Sequence, residues 1–111
     1  MATATFIHDG NSIDYTPGAN VSAGDVVVQN DLVGIAKLDI ASGVLGALAV
    51  TGVFDVPKAT GAGSAIAAGA KVYWNATAKQ ATTTATGNKY LGKTVGAAAD
   101  GDATVRVRLE Q

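Results

Sequence analysis

The feature that most constrains this chain is one pattern of residues that occurs twice in the same order. Residues 22–28 (SAGDVVV) correspond to residues 67–73 (AAGAKVY), and residues 32–34 (LVG) correspond to residues 90–92 (YLG). In each copy a second glycine follows nine positions later, Gly43 in the first copy and Gly101 in the second, and an alternating stretch comes after it. A duplicated strand-and-turn unit without a fixed polar centre is typical of a scaffold rather than of an active site.

The two copies differ in length. The offset is 45 residues from Gly24 to Gly69 but 58 residues from Gly34 to Gly92, so the second copy contains an insertion at about residues 75–89. We interpret residues 21–111 as a single β domain with a pseudo-repeat at about 22–58 and 67–109. Residues 1–20 are interpreted as an N-terminal arm or hairpin. A length of 111 residues suits one domain with a modest core.

The pattern of short apolar runs predicts an all-β fold. These runs are rich in β-branched residues and are separated by Gly, Asn and Asp, which favour turns. We therefore expect a small sandwich or barrel of short strands. At most one short helix is expected, near residues 64–68, where Ser64 precedes and Gly69 follows a run of small residues. Residues 2–7 and 12–16 alternate in polarity around a turn, which predicts a hairpin in the arm.

Composition excludes several classes of function. Only 15% of the residues are charged and the net charge is −1, which argues against the basic stripe that nucleic-acid binding requires. There is no Cys and one His, so neither a thiolate site nor a histidine metal cluster is expected. The beginning of the sequence is not typical of a secretory signal, and no apolar run reaches the ~20 residues that cross a bilayer. We expect no catalytic residues, cofactor or metal, and neither a nucleic-acid nor a membrane partner.

One segment matches a nucleotide-binding motif. Residues 87–94 (GNKYLGKT) fit the phosphate-loop pattern GxxxxGK[ST] at every specified position. That loop requires a buried apolar strand before it and a helix after it. Here the preceding residues 81–86 are polar, and Gly96 and Gly101 interrupt the following segment. A nucleotide-binding, recombination-related protein is therefore the alternative interpretation, and a structural role is favoured over it.

Candidate contact residues lie near the two ends of the chain. Residues 104–109 alternate strictly, which predicts Val105, Val107 and Leu109 on one face of a strand and two arginines on the other. Those arginines are suited to binding a partner's carboxylates, although a solvated face is the simpler interpretation. An exposed arm can add a strand to a neighbour. The expected contacts to a partner protein or to another subunit are Thr5, Phe6, Ile7, Tyr15, Arg106 and Arg108.

Five segments in order give the chain a family resemblance. They are residues 22–25 (SAGD), 32–36 (LVGIA), 52–58 (GVFDVPK), 69–75 (GAKVYWN) and 101–109 (GDATVRVRL). On these segments, which extend over about residues 4 to 109, the sequence resembles the DUF2190 family of phage capsid cement or head decoration proteins.

The resemblance implies both a partner and a place. It implies a β-rich, non-enzymatic protein that binds the major capsid protein on the outer surface of the expanded head. It also implies a homotrimer that stabilises the head against internal DNA pressure, and assembly in the host cytoplasm. Another virion role, in a tail or a fibre, is the remaining structural alternative.

Overall fold

Two antiparallel sheets make up the fold in a computed structural model that describes residues 3–111. The first sheet has the order β1-β4-β3-β2, and the second has the order β5-β9-β8-β6-β7. No helix occurs among the described residues, and the prediction of a small all-β sandwich is confirmed. The strands are β1 (Ser12–Tyr15), β2 (Val26–Gln29), β3 (Leu32–Ala36), β4 (Gly46–Ala49), β5 (Thr51–Pro57), β6 (Lys71–Asn75), β7 (Gln80–Thr82), β8 (Lys89–Thr94) and β9 (Thr104–Glu110).

Short polar turns set the register of two hairpins. The turn between β2 and β3 contains Asn30 at a φ of 54°, a left-handed conformation that Asn adopts more readily than most residues. In the turn between β6 and β7, the side-chain oxygen of Asn75 accepts the backbone N–H groups of Thr77 and Ala78, both at 3.0 Å. Such side-chain turns are the reason that Asn marks strand ends in this sequence.

The main core lies between the two sheets. Val33 and Ile35 from the first sheet join a cluster whose other buried members come from the second sheet and its loops. The predicted alternation of β9 is confirmed, because Val105, Val107 and Leu109 are almost fully buried. A smaller cluster of Ala36, Ile40 and Leu48 is covered by half-buried residues, which are Ile13, Tyr15, Val21 and Val27. Both clusters are made chiefly of aliphatic side chains, as the composition indicates.

Lys58 connects the second sheet to the loop that precedes β9. Its backbone pairs in parallel with Ala81, which brings the end of β5 to β7 and curls the sheet. Its side chain is only 3% exposed, and Nζ donates to the carbonyl oxygens of Ala59, Ala99 and Asp102 at 2.8, 2.9 and 2.9 Å. These three hydrogen bonds supply the polar partners that a buried ammonium group needs.

Equivalent backbone hydrogen bonds occur in the two halves of the chain. The N–H of Gly24 donates to the carbonyl of Ala36 at 2.6 Å, and the N–H of Gly69 donates to that of Thr94 at 2.8 Å. The donors are 45 residues apart and the acceptors 58, the same offsets that separate the sequence copies. The order β1-β4-β3-β2 also parallels β5-β9-β8-β6, and the additional strand β7 falls in the inserted segment.

Three local features were decided by the structure. Residues 64–68 form no helix, because Ile66 pairs with Ala98 through reciprocal backbone hydrogen bonds of 2.9 and 2.8 Å. Residues 3–7 form no strand, so the hairpin expected in the arm is absent there; Ala2 lies outside the described residues. Residues 12–15 pair instead with β4, which is distant in sequence. Residues 45–56 are mostly apolar, and they are divided at Val50, where the chain passes from the first sheet to the second.

Candidate interaction surfaces

A row of three cations crosses the outer face of the second sheet. Lys71 of β6 lies directly opposite Lys93 of β8, and Lys93 lies directly opposite Arg108 of β9. We call these three residues the cationic row; all of them are exposed. Like charges at directly opposite positions destabilise a sheet. The row by itself therefore does not stabilise the sheet, and its positive charge remains on an exposed face.

Glu110 is the acid that lies closest to the cationic row. Its carboxylate oxygens are 3.8 Å from Lys93 Nζ and 3.5 Å from Arg108 Nη1, and the Tyr90 hydroxyl donates to it at 2.7 Å. The hydrogen bond from Tyr90, and then the nearby cations, lower the pKa of Glu110 below its ordinary value. Burial, followed by this hydrogen bond, raises the pKa of Tyr90 to about 12. One carboxylate against three cations leaves this face positive.

Arg106 lies on the same face and is paired. Its Nε is 2.9 Å and its Nη2 is 3.2 Å from the two carboxylate oxygens of Asp55, a bidentate arrangement. The hydrogen bond from Arg106 lowers the pKa of Asp55. Both side chains are more than half exposed, so the pair adds little to stability and mainly fixes the orientation of the guanidinium group. Two exposed apolar side chains, Val53 and Val95, share this region of the sheet.

The N-terminal arm, residues 3–11, forms the second surface. Phe6 and Ile7 are 80% and 78% exposed, and Thr5 is exposed as well. Tyr15 lies apart from them, since it is half-buried in β1 and packs against the smaller cluster. Of the four candidates within residues 1–20, the structure therefore groups three in the arm and places Tyr15 among core contacts. Arg106 and Arg108 belong to the other sheet.

Sequence reasoning did not identify two parts of these surfaces. Lys71 and Lys93 become neighbours of Arg108 only because β6, β8 and β9 pair. A comparison of outward-facing positions on these strands could have suggested the cationic row. The second omission is a cleft of about 280 Å³ beside β1 and β4, lined in part by the exposed side chains of Leu38, Val44 and Leu45. These three side chains lie in loops, where no periodic pattern marks them.

Residues 87–94, which match the phosphate-loop pattern, have structural roles in the second sheet. Residues 89–94 are strand β8, so the backbone amides are part of a sheet rather than a phosphate cradle. Thr94 is buried, and its hydroxyl donates to the carbonyl of Ala67 at 2.7 Å and accepts the N–H of Ala70 at 3.0 Å. A Cβ at Gly92 would overlap the carbonyl oxygen of Arg108, so glycine is required there for close approach of β9.

Two features are absent from the described residues, a metal-binding cluster and a membrane-spanning helix. Within residues 3–111, no group of three or more His, Cys, Asp or Glu side chains is arranged to hold a metal ion. In the same range, no helix is long and apolar enough to cross a bilayer.

The two surfaces therefore consist of an unpaired apolar arm and a positive sheet face, both suited to contact with other proteins. A family model described as phage cement protein matches residues 7–109, which include both sheets. The chain belongs to the phage cement protein family. Searches of curated proteins and of solved structures found no significant match. Membership associates this cement protein with a phage capsid and indicates a structural role in the virion.

Proposed function

We propose that this cement protein binds the outer surface of the expanded head through the major capsid protein and stabilises the shell against internal DNA pressure. It acts without catalysis and as a homotrimer. The family match supports the capsid role, and the observation that carries the binding mode is the arm, which exposes two large apolar side chains, Phe6 and Ile7. Monomeric proteins rarely leave such groups together in solvent unless they serve a contact.

The arm is suited to binding by strand addition. Residues 3–7 are not in a strand, so their backbone N–H and C=O groups are free to pair with an edge strand of a capsid subunit. The alternating side chains of Thr5, Phe6 and Ile7 would then give specificity through pockets on one side. Each arm makes a small contact, and a trimer that engages three capsid sites at once gains affinity through effective concentration.

A truncation tests this assignment while sparing the fold. Asn11 should be kept, because its carbonyl accepts the N–H of Val50 at 3.0 Å, and Ser12 begins β1. We therefore choose deletion of residues 2–8. The truncated protein should fold normally, as judged by circular dichroism, but should no longer sediment with expanded heads that lack cement protein.

Point variants sharpen the same experiment. Phe6→Ser combined with Ile7→Ser should reduce head binding about as much as the truncation. Lys79→Gln, in an exposed turn of the other sheet, should bind as the unmodified protein does. Full head binding by the truncated protein would refute the role of the arm. Quantitative mass spectrometry of purified virions tests the function itself, since absence from the virion would exclude a cement role.

A further inference from the structure

The charges of this chain are divided between its two sheets. Residues 1–50 contain five Asp and one Lys, a net charge of −4, whereas residues 51–111 contain four acids and seven Lys or Arg, a net charge of +3. All strands of the first sheet come from the acidic half, and all strands of the second come from the basic half. A net charge of −1 for the whole chain therefore conceals a strongly dipolar molecule.

Most acids of the first half have no cation beside them. All five Asp residues of this half are exposed. Within the described residues, only Asp31 forms an ion pair, with Lys89 at 2.8 Å. Asp25 and Asp39 accept backbone N–H groups in loops, whereas Asp14 projects from β1, at the edge of the first sheet. Their negative charge is thus available to a partner.

The outer face of the second sheet, which we call the basic face, carries an excess of positive charge. The cationic row is balanced locally by Glu110 alone, and Asp55 is already engaged by Arg106. Val53 lies directly opposite Arg108 and is 55% exposed, so the row ends at an apolar side chain. This combination of cations and apolar groups matches a surface that offers acids and apolar groups.

The acidic half offers such a surface. Besides its aspartates it carries five of the seven large apolar side chains exposed in the described part of the chain. Two of the five are in the arm, which the proposed function assigns to the capsid, so the three that line the cleft beside β1 and β4 are the ones open to another copy. The residues are Phe6, Ile7, Leu38, Val44 and Leu45.

We propose that copies of this chain associate head to tail, with the basic face of one copy against the acidic half of the next. The inference rests on the self-association included in the proposed function and specifies its interface. A two-fold symmetric contact of either face would place like charges together, whereas a heterologous contact joins opposite ones. When the rotation between neighbours closes, such contacts form a ring, of which a trimer is one example.

Salt dependence is the first test of this interface. Screening lengths are about 10 Å at 0.1 M salt and about 3 Å at 1 M salt, so the attraction between the halves is much weaker at the higher concentration. Sedimentation velocity at about 0.1 mM protein should show oligomers at the lower salt concentration and a dissociation constant at least about tenfold higher at 1 M salt. A protein that is monomeric at both salt concentrations, or equally associated at both, would overturn the proposal.

Charge reversal locates the contact. Lys93→Glu with Arg108→Glu should abolish self-association, and Asp9→Lys with Asp14→Lys should do the same. The chain that carries all four changes exchanges the signs only at these four positions, so that the reversed groups can pair again, and it should regain part of the association. Lys79→Glu is the control, because it reverses an exposed cation that lies away from the row, although it changes the net charge by half as much as the double reversal.

Each result has a defined meaning. Circular dichroism and the fluorescence of the single Trp establish that every variant folds; if the glutamate pair does not, Lys93→Gln with Arg108→Gln replaces it and should still weaken association. Association that survives both reversals, or that the fourfold variant fails to restore, would overturn the proposal. If the reversals abolish head binding while leaving self-association unchanged, the basic face binds the capsid instead. Virion content tests the cement role independently of all these outcomes.

Discussion

Replacement of Lys58 by Met is the most informative perturbation of the fold. Met has a similar length and fills the same space, but it removes the ammonium group that binds three carbonyl oxygens at 2.8, 2.9 and 2.9 Å. At a net value of about 1 kcal/mol for each hydrogen bond, the expected loss is about 3 kcal/mol of unfolding free energy. For a chain of 111 residues this corresponds to a decrease in Tm of roughly 12 °C.

Urea unfolding measures this loss directly. Trp74 is the only Trp and is 7% exposed in the main core, so its fluorescence reports the global transition. The matched control is Lys37→Met, at an exposed position outside the strands, which should change stability by less than about 0.5 kcal/mol. A loss of less than about 1 kcal/mol for Lys58→Met would refute the reasoning, because it would mean that water replaces the ammonium group at little cost.

Four further predictions concern β8 and its neighbours. Gly92→Ala should destabilise the protein by about 3 kcal/mol or prevent folding, whereas Gly96→Ala, where a Cβ meets nothing within 4 Å, should have little effect in the same urea assay. Leu91→Ala, at a side chain 1% exposed, should reduce stability by about 3 kcal/mol in denaturant titrations. The pKa of Tyr90 is raised to about 12, so stability should decrease between pH 10 and pH 12 as the unfolded chain ionises first; Tyr90→Phe should reduce that decrease. The pKa of Glu110 is lowered, so stability should also decrease as the pH falls below about 4.5, and Glu110→Gln should flatten that limb of the profile.

Local sequence patterns predicted which face of a strand is buried better than they predicted whether a strand forms. The alternation of residues 104–109 gave the correct buried and exposed faces of β9, because a strand turns successive side chains to opposite sides wherever it forms. The same alternation at residues 3–7 did not produce a strand in the described part of the arm. A strand needs a partner, and within a single chain β4 pairs with β1 rather than with the arm.

The phosphate-loop match shows how a motif depends on its context. The sequence placed Gly92, Lys93 and Thr94 in a nucleotide-binding order, and the flanking polarity already argued against that function. Tertiary structure supplies a separate reason for each residue. Gly92 permits the close approach of β9, Lys93 belongs to the cationic row, and Thr94 links two backbone segments.

The β class, the alternation of β9, the duplicated landmarks and the family can all be read from the sequence, because they depend on the order of residues along the chain. Tertiary structure alone decided which positions meet. Lys71, Lys93 and Arg108 form one row only through the register of three strands, and Lys58 is buried only because the loop before β9 closes over it. The charges of the two halves could be counted from the sequence, but only the folded chain assigns each half to its own sheet. Pairing between distant segments depends on the packing of the whole core, which no local pattern encodes.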